Sequence, residues 1–297
     1  MTDPANPDPA RSFGGVADSY DRGRPSYPVD AVKWLVGEEP CSVLELGAGT
    51  GKLTEVLVGL GHDVFATDPD DAMLDILSEK LPDVRATSGT AEQIPIGDSL
   101  YDVVVVGQAF HWFDHAKALA EIGRVLRTDG RLAVVQNERD ERIPWVRKLG
   151  KLIGKHDGGF DPTPILDDSG LFSAVEAQAF RHWQIVDRHS IQDLVQSRSN
   201  IATLEPEAQE QKRREVLAFY NGYGRGMDGM QLPYNCHAWR AQVLPHAQVK
   251  HTVEVVEKVD EPEQTVPLAK RTDTAVRLPR VITDPENGDD DLLIDFR

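Results

Sequence analysis

The amino-acid sequence predicts an α/β fold, a three-layer sandwich in which helices cover both faces of a mostly parallel sheet. Three observations carry this. Short apolar runs alternate with amphipathic stretches of about ten residues between Ser42 and Val135, as in strand–helix–strand units whose strands run parallel. The run Val103 to Val106 has no polar face, which suits a central strand covered on both sides. A glycine-rich stretch, Gly47-Ala-Gly-Thr-Gly51, separates the first strand from the helix that follows.

The elements follow in order. Val32, Leu35 and Val36 are spaced for one helical face, which predicts a short helix over Ala31 to Glu38. Ser42 to Leu46 reads as a buried strand, Leu53 to Leu60 as a helix, Asp63 to Thr67 as a strand and Ala72 to Leu81 as a helix. Val84 to Thr87 is a weaker third strand, and Tyr101 to Val106 is the most apolar one. The helix Ala116 to Arg127 carries Leu119, Ile122, Val125 and Leu126 on its core stripe. Arg131 to Val135 is a fifth strand after the turn Asp129-Gly130. Beyond Asn137 the rhythm changes. Pro144 to His156 reads as a helix, Phe172 to Val186 as a strand, Ser190 as the start of a capped helix, Glu205 to Tyr220 as a long polar helix, and Leu232 to Trp239 as a final strand.

The ends differ from the middle. Residues 1 to 12 are rich in Pro and Asp, and disorder is expected there. Residues 251 to 297 hold twelve Asp or Glu against six Lys or Arg, with prolines at 262, 267, 279 and 285, which predicts an acidic, disordered tail. The domain expected between these ends spans residues 13 to 250.

The chain has 297 residues and a formal net charge of −17. Such a surface disfavours binding to nucleic acid or to anionic membranes. Cys41 and Cys236 show no metal or disulfide spacing and are expected as buried free thiols. No metal site is expected. The N-terminus has neither a basic start nor an apolar core, so no signal peptide is expected, and the cytoplasm is the expected location.

The chemistry concentrates in Val43-Leu-Glu-Leu-Gly-Ala-Gly-Thr-Gly51. Glycines at 47, 49 and 51 let the chain turn sharply and let backbone approach a ligand, and the next helix offers free N–H groups. Asp68 ends the next strand, seventeen residues after Gly51. A carboxylate there accepts hydrogen bonds from ribose hydroxyls, although it also suits a helix cap; the glycine loop one strand earlier favours ribose. A dinucleotide would require GxGxxG, but here the third glycine comes one residue early and Lys52 stands in its place. Glu45 would repel a pyrophosphate. It suits a cofactor that carries an ammonium group and no phosphate, as S-adenosyl-L-methionine does.

At this point the chain resembles the class I S-adenosylmethionine-dependent methyltransferases, and within them the type 11 group that includes trans-aconitate-methyltransferase-like proteins. The resemblance spans Phe13 to Gln242. It rests on Glu45-Leu-Gly-Ala-Gly-Thr-Gly, Asp68-Pro-Asp-Asp-Ala-Met, Gly89-Thr-Ala-Glu-Gln-Ile-Pro, Gln108-Ala-Phe-His-Trp-Phe-Asp and Glu121-Ile-Gly-Arg-Val-Leu-Arg-Thr-Asp-Gly. It implies a Rossmann-like, seven-stranded sheet whose last strand is antiparallel. It also implies that Gly47, Ala48, Gly49 and Gly51 wrap the methionine part of the cofactor and that Glu45 reaches its amino group. Asp68 would bind the ribose, with Pro69 and Met73 against the adenine and Ala91 and Glu92 at its edge. Gln108 and Ala109 would sit beside the sulfonium. Other members carry Asp at the position of Glu45.

The acceptor side is less legible. The segment Tyr20-Asp-Arg-Gly-Arg-Pro-Ser-Tyr27 resembles one that covers the cofactor in this group, so Tyr20, Arg24 and Tyr27 are expected to close over the site, as a lid without helix or strand pattern of its own. A surface loop with aromatic anchors is the alternative. His111 follows the fourth strand and is a candidate general base, or else a pocket-wall histidine. Trp112 is expected to pack, and His115 to face solvent. The implied activity is methyl transfer to a small-molecule acceptor through an oxygen or nitrogen nucleophile, with carboxylic acids among the candidates. An inactive, cofactor-binding regulatory protein is the alternative.

Overall fold

The computed structural model describes residues 17–154, 160–198, 201, 203–223 and 229–247. The stretches 1–12 and 251–297, expected to be disordered, lie outside the described residues.

Within the described residues the chain runs through α1 (Ala17–Gly23), α2 (Val29–Val36), β1 (Ser42–Leu46), α3 (Lys52–Gly59), β2 (Asp63–Asp68), α4 (Asp71–Lys80), β3 (Arg85–Ser88) and β4 (Tyr101–Gly107). It continues with a 3-10 turn (Phe110–Trp112), α5 (His115–Val125), β5 (Leu126–Arg139), α6 (Pro144–Ile153), α7 (Thr163–Ser169), β6 (Glu176–Val186), α8 (Ser190–Gln196), α9 (Pro206–Tyr223) and β7 (Met230–Gln242).

The seven strands form one sheet in the order β3-β2-β1-β4-β5-β7-β6. The pairs among β3, β2, β1, β4 and β5 are parallel, whereas β7 runs antiparallel to both β5 and β6. The last strand of the described residues is therefore the antiparallel one, as expected. The order reverses at β1, between β2 and β4, so the loops after β1, β2 and β4 open on one edge. Open α/β sheets bind ligands at that switch point.

The period-2 alternation of strands explains the two cores. Val104, Val106, Leu132 and Val134 pack on one face with Ile122 and Leu119 of α5. Val103, Val105, Ala133 and Val135 pack on the other with Ala31, Leu35 and Leu57 of α2 and α3. Each fully buried aliphatic side chain contributes about 1.5–3 kcal/mol, which makes the apolar β4 the anchor of both layers. A third cluster joins α6, α8 and α9 to the ends of β6 and β7 through Leu149, Val195, Val216 and Leu232.

Three differences from expectation have local causes. The segment Tyr20 to Tyr27, read as patternless, begins inside helix α1 (Ala17–Gly23), which forms because α8 supplies its packing. Arg22 makes a two-pronged bond to Asp193, Ser19 donates to Gln196, and the Gln184 amide donates to the Gly23 carbonyl. Strand β5 begins at Leu126 rather than Arg131, with a register shift that loops out the turn at Asp129. The N-terminus of α8 is held from upstream: Asp187 accepts from the backbone N–H groups of His189 and Ser190. Cys236 is buried, with its thiol pushed up to about 12 by burial, while Cys41 is half-buried. No helix of the described residues is long and apolar enough to cross a membrane.

Candidate active site

The turn after β1 is pinned from two sides. The backbone N–H groups of Gly47 and Ala48 both donate to the Thr67 carbonyl, at 2.8 and 3.0 Å. The N–H of Gly49 donates to Asp68 Oδ2 at 2.8 Å. Gly47 and Gly49 have φ of 70° and 55°, a left-handed conformation that costs other residues roughly 1–2 kcal/mol. A Cβ on Gly47 would stand 2.5 Å from that of Ala109, whereas one on Gly49 would meet nothing within 4 Å. Gly47 is thus fixed by packing, and Gly49 opens onto space.

Asp68 is not the cap of α4. Asp70 takes that place, accepting from the Ala72 N–H. Asp68 instead accepts from Gly49 and, through Oδ1, from the Asp70 N–H. Burial raises its pKa to about 6, against the lowering effect of these two bonds. It ties the glycine loop to the end of β2 and keeps lone pairs for a hydroxyl donor.

Glu45 is 1% exposed. Its carboxyl accepts one bond, from the Thr54 hydroxyl at 2.6 Å, and no Lys, Arg or His among the described residues lies within 4 Å. Burial pushes its pKa up to about 8, with the Thr54 bond opposing and the nearby Asp68 charge adding.

A cavity of about 610 Å³, counted with its open mouth, lies over this turn. Its floor is Glu45, Gly47, Ala48, Gly49 and, at the end of β4, Gln108. Gln108 has φ 62°, a strained conformation for a non-glycine residue that recurs at functional sites; its side chain donates to the Asn137 carbonyl. The N-terminal segment forms a wall with Tyr20, Arg24 and Tyr27. Arg24 donates to the Ser197 carbonyl at 2.8 Å and lies over the Tyr20 ring. Tyr27 is buried, and a Cβ on Gly107 would approach its hydroxyl to 2.8 Å.

A further part of the lining was missed by sequence reasoning. Asn137 and Arg139 from β5, Tyr234 from β7 and Leu194 from α8 all face the cavity. The Tyr234 hydroxyl donates to Gln184, and His182 shares a 2.9 Å bond with Asn137. Asp21 was also missed. Burial alone would raise its pKa, but the Lys80 bond and the charges of Lys52 and Lys80 hold it low. Through Lys80, which also donates to the Thr50 carbonyl, it links the N-terminal segment to the glycine loop. Only the run of basic and aromatic residues around Tyr20 signalled this side of the pocket.

Asp68 and the other expected residues lie outside the lining of the cavity. Gly51 and Ala109 sit one step behind its lining, in the loop and against Gly47. Pro69, Met73, Ala91 and Glu92 follow β2 and β3; Met73 and Ala91 are buried, and Glu92 accepts from the Asp114 N–H. His111 is exposed on the 3-10 turn, its ring beside Trp112 and Phe160. Trp112 does not pack into the core but is 43% exposed. His115, expected in solvent, stacks on Phe110 and bonds to its carbonyl. Among the described residues no cluster of His, Cys, Asp and Glu could hold a metal ion.

Residues 44–134 match a family model described as a methyltransferase domain. An uncharacterised methyltransferase of Mycobacterium tuberculosis is 42% identical over 233 residues, covering 76% of this chain and 93% of the relative. One of Schizosaccharomyces pombe is 35% identical over 237 residues, with the same coverage. A solved structure from Anaeromyxobacter dehalogenans, described as a type II methyltransferase, superposes with a TM-score of 0.52 at 20% identity, covering 75% of this chain and 99% of that one. That likeness bears on the fold.

Proposed function

Since the chain belongs to the methyltransferase family and is an S-adenosylmethionine-dependent enzyme, we propose that its acceptor is a small molecule methylated on oxygen or nitrogen, within the group that includes trans-aconitate-methyltransferase-like proteins. Carboxylic acids are among the candidate acceptors. The observation that carries this reading is that the glycine loop and the Tyr20–Tyr27 segment line one cavity, open at its mouth, as a small acceptor reaching the cofactor side would need.

The residues present fit S-adenosylmethionine. Glu45 is a buried carboxyl facing the cavity, with no described cation within 4 Å of it, which suits the amino group. Gly49 has open space where a side chain would stand. Asp68, at the end of β2, has acceptor capacity for ribose hydroxyls. Pro69, Met73, Ala91 and Glu92 follow on the β2–β3 side, where the adenine would extend. Bound there, the cofactor supplies a methyl group on a sulfonium, already activated for displacement.

The chain's own task is positioning. Gln108, held in its strained conformation, fixes the end of β4 beside the reacting centre. Tyr20, Arg24 and Tyr27, with Asn137 and Tyr234 also in the lining, wall the cavity and exclude water. Such orientation supplies a large part of a displacement barrier. His111, exposed and outside the lining, is assigned the outer approach to the site rather than proton abstraction. Incubation with methyl-labelled S-adenosylmethionine and a panel of carboxylic acids, phenols and amines tests the reading. Transfer to one of these classes is the expected result. Label appearing only in protein or nucleic acid would refute a small-molecule acceptor.

A further inference from the structure

The acceptor wall of the cavity carries positive charge with little to balance it. Arg139, the last residue of β5, has a side chain only 1% exposed. It donates through Nη2 to the Gly154 carbonyl at 3.0 Å, and its single described ion pair is a loose one, 3.5 Å to Glu141. Its Nε is buried and donates to nothing among the described residues. Arg24 faces the same cavity. Its Nε is likewise buried without an acceptor, and no described carboxylate lies within 4 Å of it.

The electrostatics agree with the geometry. Burial pulls the Arg139 pKa down; Tyr234 and Glu141 oppose this, and Arg24 adds repulsion. Glu45, the carboxyl on the cavity floor, is held mostly protonated near neutral pH by burial. The pocket of a chain with net charge −17 is therefore locally cationic. A buried guanidinium is costly to keep unless an anion meets it, and its planar fork matches carboxylate and phosphate oxygens.

The two arginines differ in place. Arg24 comes from the segment that covers the glycine loop. Arg139 lies across the sheet on β5, beside Tyr234 of β7, on the side of β4 away from β2 and Asp68. S-adenosylmethionine brings one carboxylate, enough for one guanidinium, and two cationic groups.

We propose that Arg139, flanked by Tyr234 and Asn137, holds an oxyanion carried by the methyl acceptor, a carboxylate or a phosphate. This rests on the reading that a small acceptor enters this cavity. The acceptor thus presents its nucleophile to the cofactor side while its anionic group stays on the β5–β7 side.

The test uses the full chain saturated with S-adenosylhomocysteine and titrated with acetate, benzoate and inorganic phosphate, each organic acid matched by its neutral amide. At least one anion should bind ten times more tightly than its amide or, for phosphate, than acetamide. Benzoate or acetate responding, or phosphate responding, identifies which oxyanion the site takes. Arg139→Gln should weaken that anion at least tenfold while changing the S-adenosylhomocysteine dissociation constant less than twofold, which also reports a folded chain. Arg139→Lys, which keeps the charge but loses the fork, should fall between. The proposal is overturned if no anion is preferred, if the preference survives both substitutions, or if either substitution weakens S-adenosylhomocysteine as much as the anion, since Arg139 would then serve the cofactor's carboxylate. Failure of anion binding alongside labelled-methyl transfer to a neutral small molecule would sink this inference and leave the functional reading intact.

Discussion

If Glu45 receives the cofactor's ammonium group, cofactor binding must be coupled to a proton. The pKa of the buried carboxyl stands at about 8, so near pH 7 roughly nine sites in ten carry a proton that the arriving cation displaces. Ionising it at pH 7 costs about 1.4 kcal/mol, one pKa unit's worth. Apparent affinity should therefore rise about tenfold from pH 6 to pH 7. Above that the gain shrinks to about threefold by pH 8, because the carboxyl approaches its pKa while the cofactor's own α-amino group, ordinarily near 8, begins to lose its charge. Calorimetric titration with S-adenosylmethionine in two buffers of different ionisation enthalpy reads this directly: close to one proton should be released per cofactor bound at pH 7. Glu45→Gln should abolish both the release and the rise in affinity between pH 6 and pH 8, leaving only a fall above pH 7 as the cofactor's amino group loses its charge. The sign for the free protein is opposite. Because the folded pKa is raised, Glu45 contributes stability that is full below about 4.5 and is lost as pH rises through about 8, at up to about 1.4 kcal/mol per unit. Asp68, raised to about 6, adds the same sign at lower pH. His62 and His182, both lowered by burial, act oppositely, so the comparison belongs above pH 7. Buffer-independent enthalpies and a pH-independent dissociation constant for the wild type would refute the assignment of Glu45 to the ammonium.

Asp68→Ala removes the acceptor that pins Gly49 and the proposed ribose contacts; cofactor affinity should fall by about 1.5–3 kcal/mol for each charge-assisted bond lost, and an unchanged dissociation constant by calorimetry would contradict the ribose role. Gly47→Ala and Gly49→Ala share the backbone penalty of roughly 1–2 kcal/mol, but only the first adds a clash with Ala109, so thermal melts should show Gly47→Ala as the more destabilised and Gly49→Ala as losing cofactor affinity beyond its loss of stability. His111→Ala should lower turnover less than tenfold, since the side chain is exposed outside the cavity; a loss of ~10²–10⁴-fold would mark a general base.

The glycine turn and the strand end beside it were legible because their determinants are local. Three glycines within five residues, Glu45 two residues before the first of them and Asp68 at the next strand end all belong to one β-α-β unit, and the strand periods place them on one edge. Even there the sequence left a choice that geometry resolved: Asp70, not Asp68, caps α4. Helix α1 was illegible for the opposite reason. Seven residues form a helix there because α8, some 170 positions later, offers Asp193 and Gln196, and no local pattern encodes that. Trp112 and His115 were read the wrong way round because their burial depends on how a 3-10 turn, rather than a full helix, rotates Phe110 beneath the ring of His115.

The Arg139–Tyr234 side of the cavity was invisible for a related reason, and it bears on how the proposed acceptor choice would be built. Arg139 lies only two residues beyond Asn137, where the readable α/β rhythm stops, and nothing near it in sequence marks it as a site residue. Its partner across the ladder is Tyr234, which the antiparallel return of β7 brings from 95 positions away. Tyr234 in turn is flanked by Trp183 and His182 on β6. On this proposal the cofactor meets side chains of consecutive elements, and the acceptor meets side chains of strands that pair late and out of order. A change on β7 or β6 can reshape the acceptor wall without moving the glycine loop, because the two are separated by β4 and β5. Substitution of Tyr234 should therefore alter which acceptor is used while leaving S-adenosylhomocysteine affinity nearly untouched, whereas no substitution in the Gly47–Gly51 turn can make that separation.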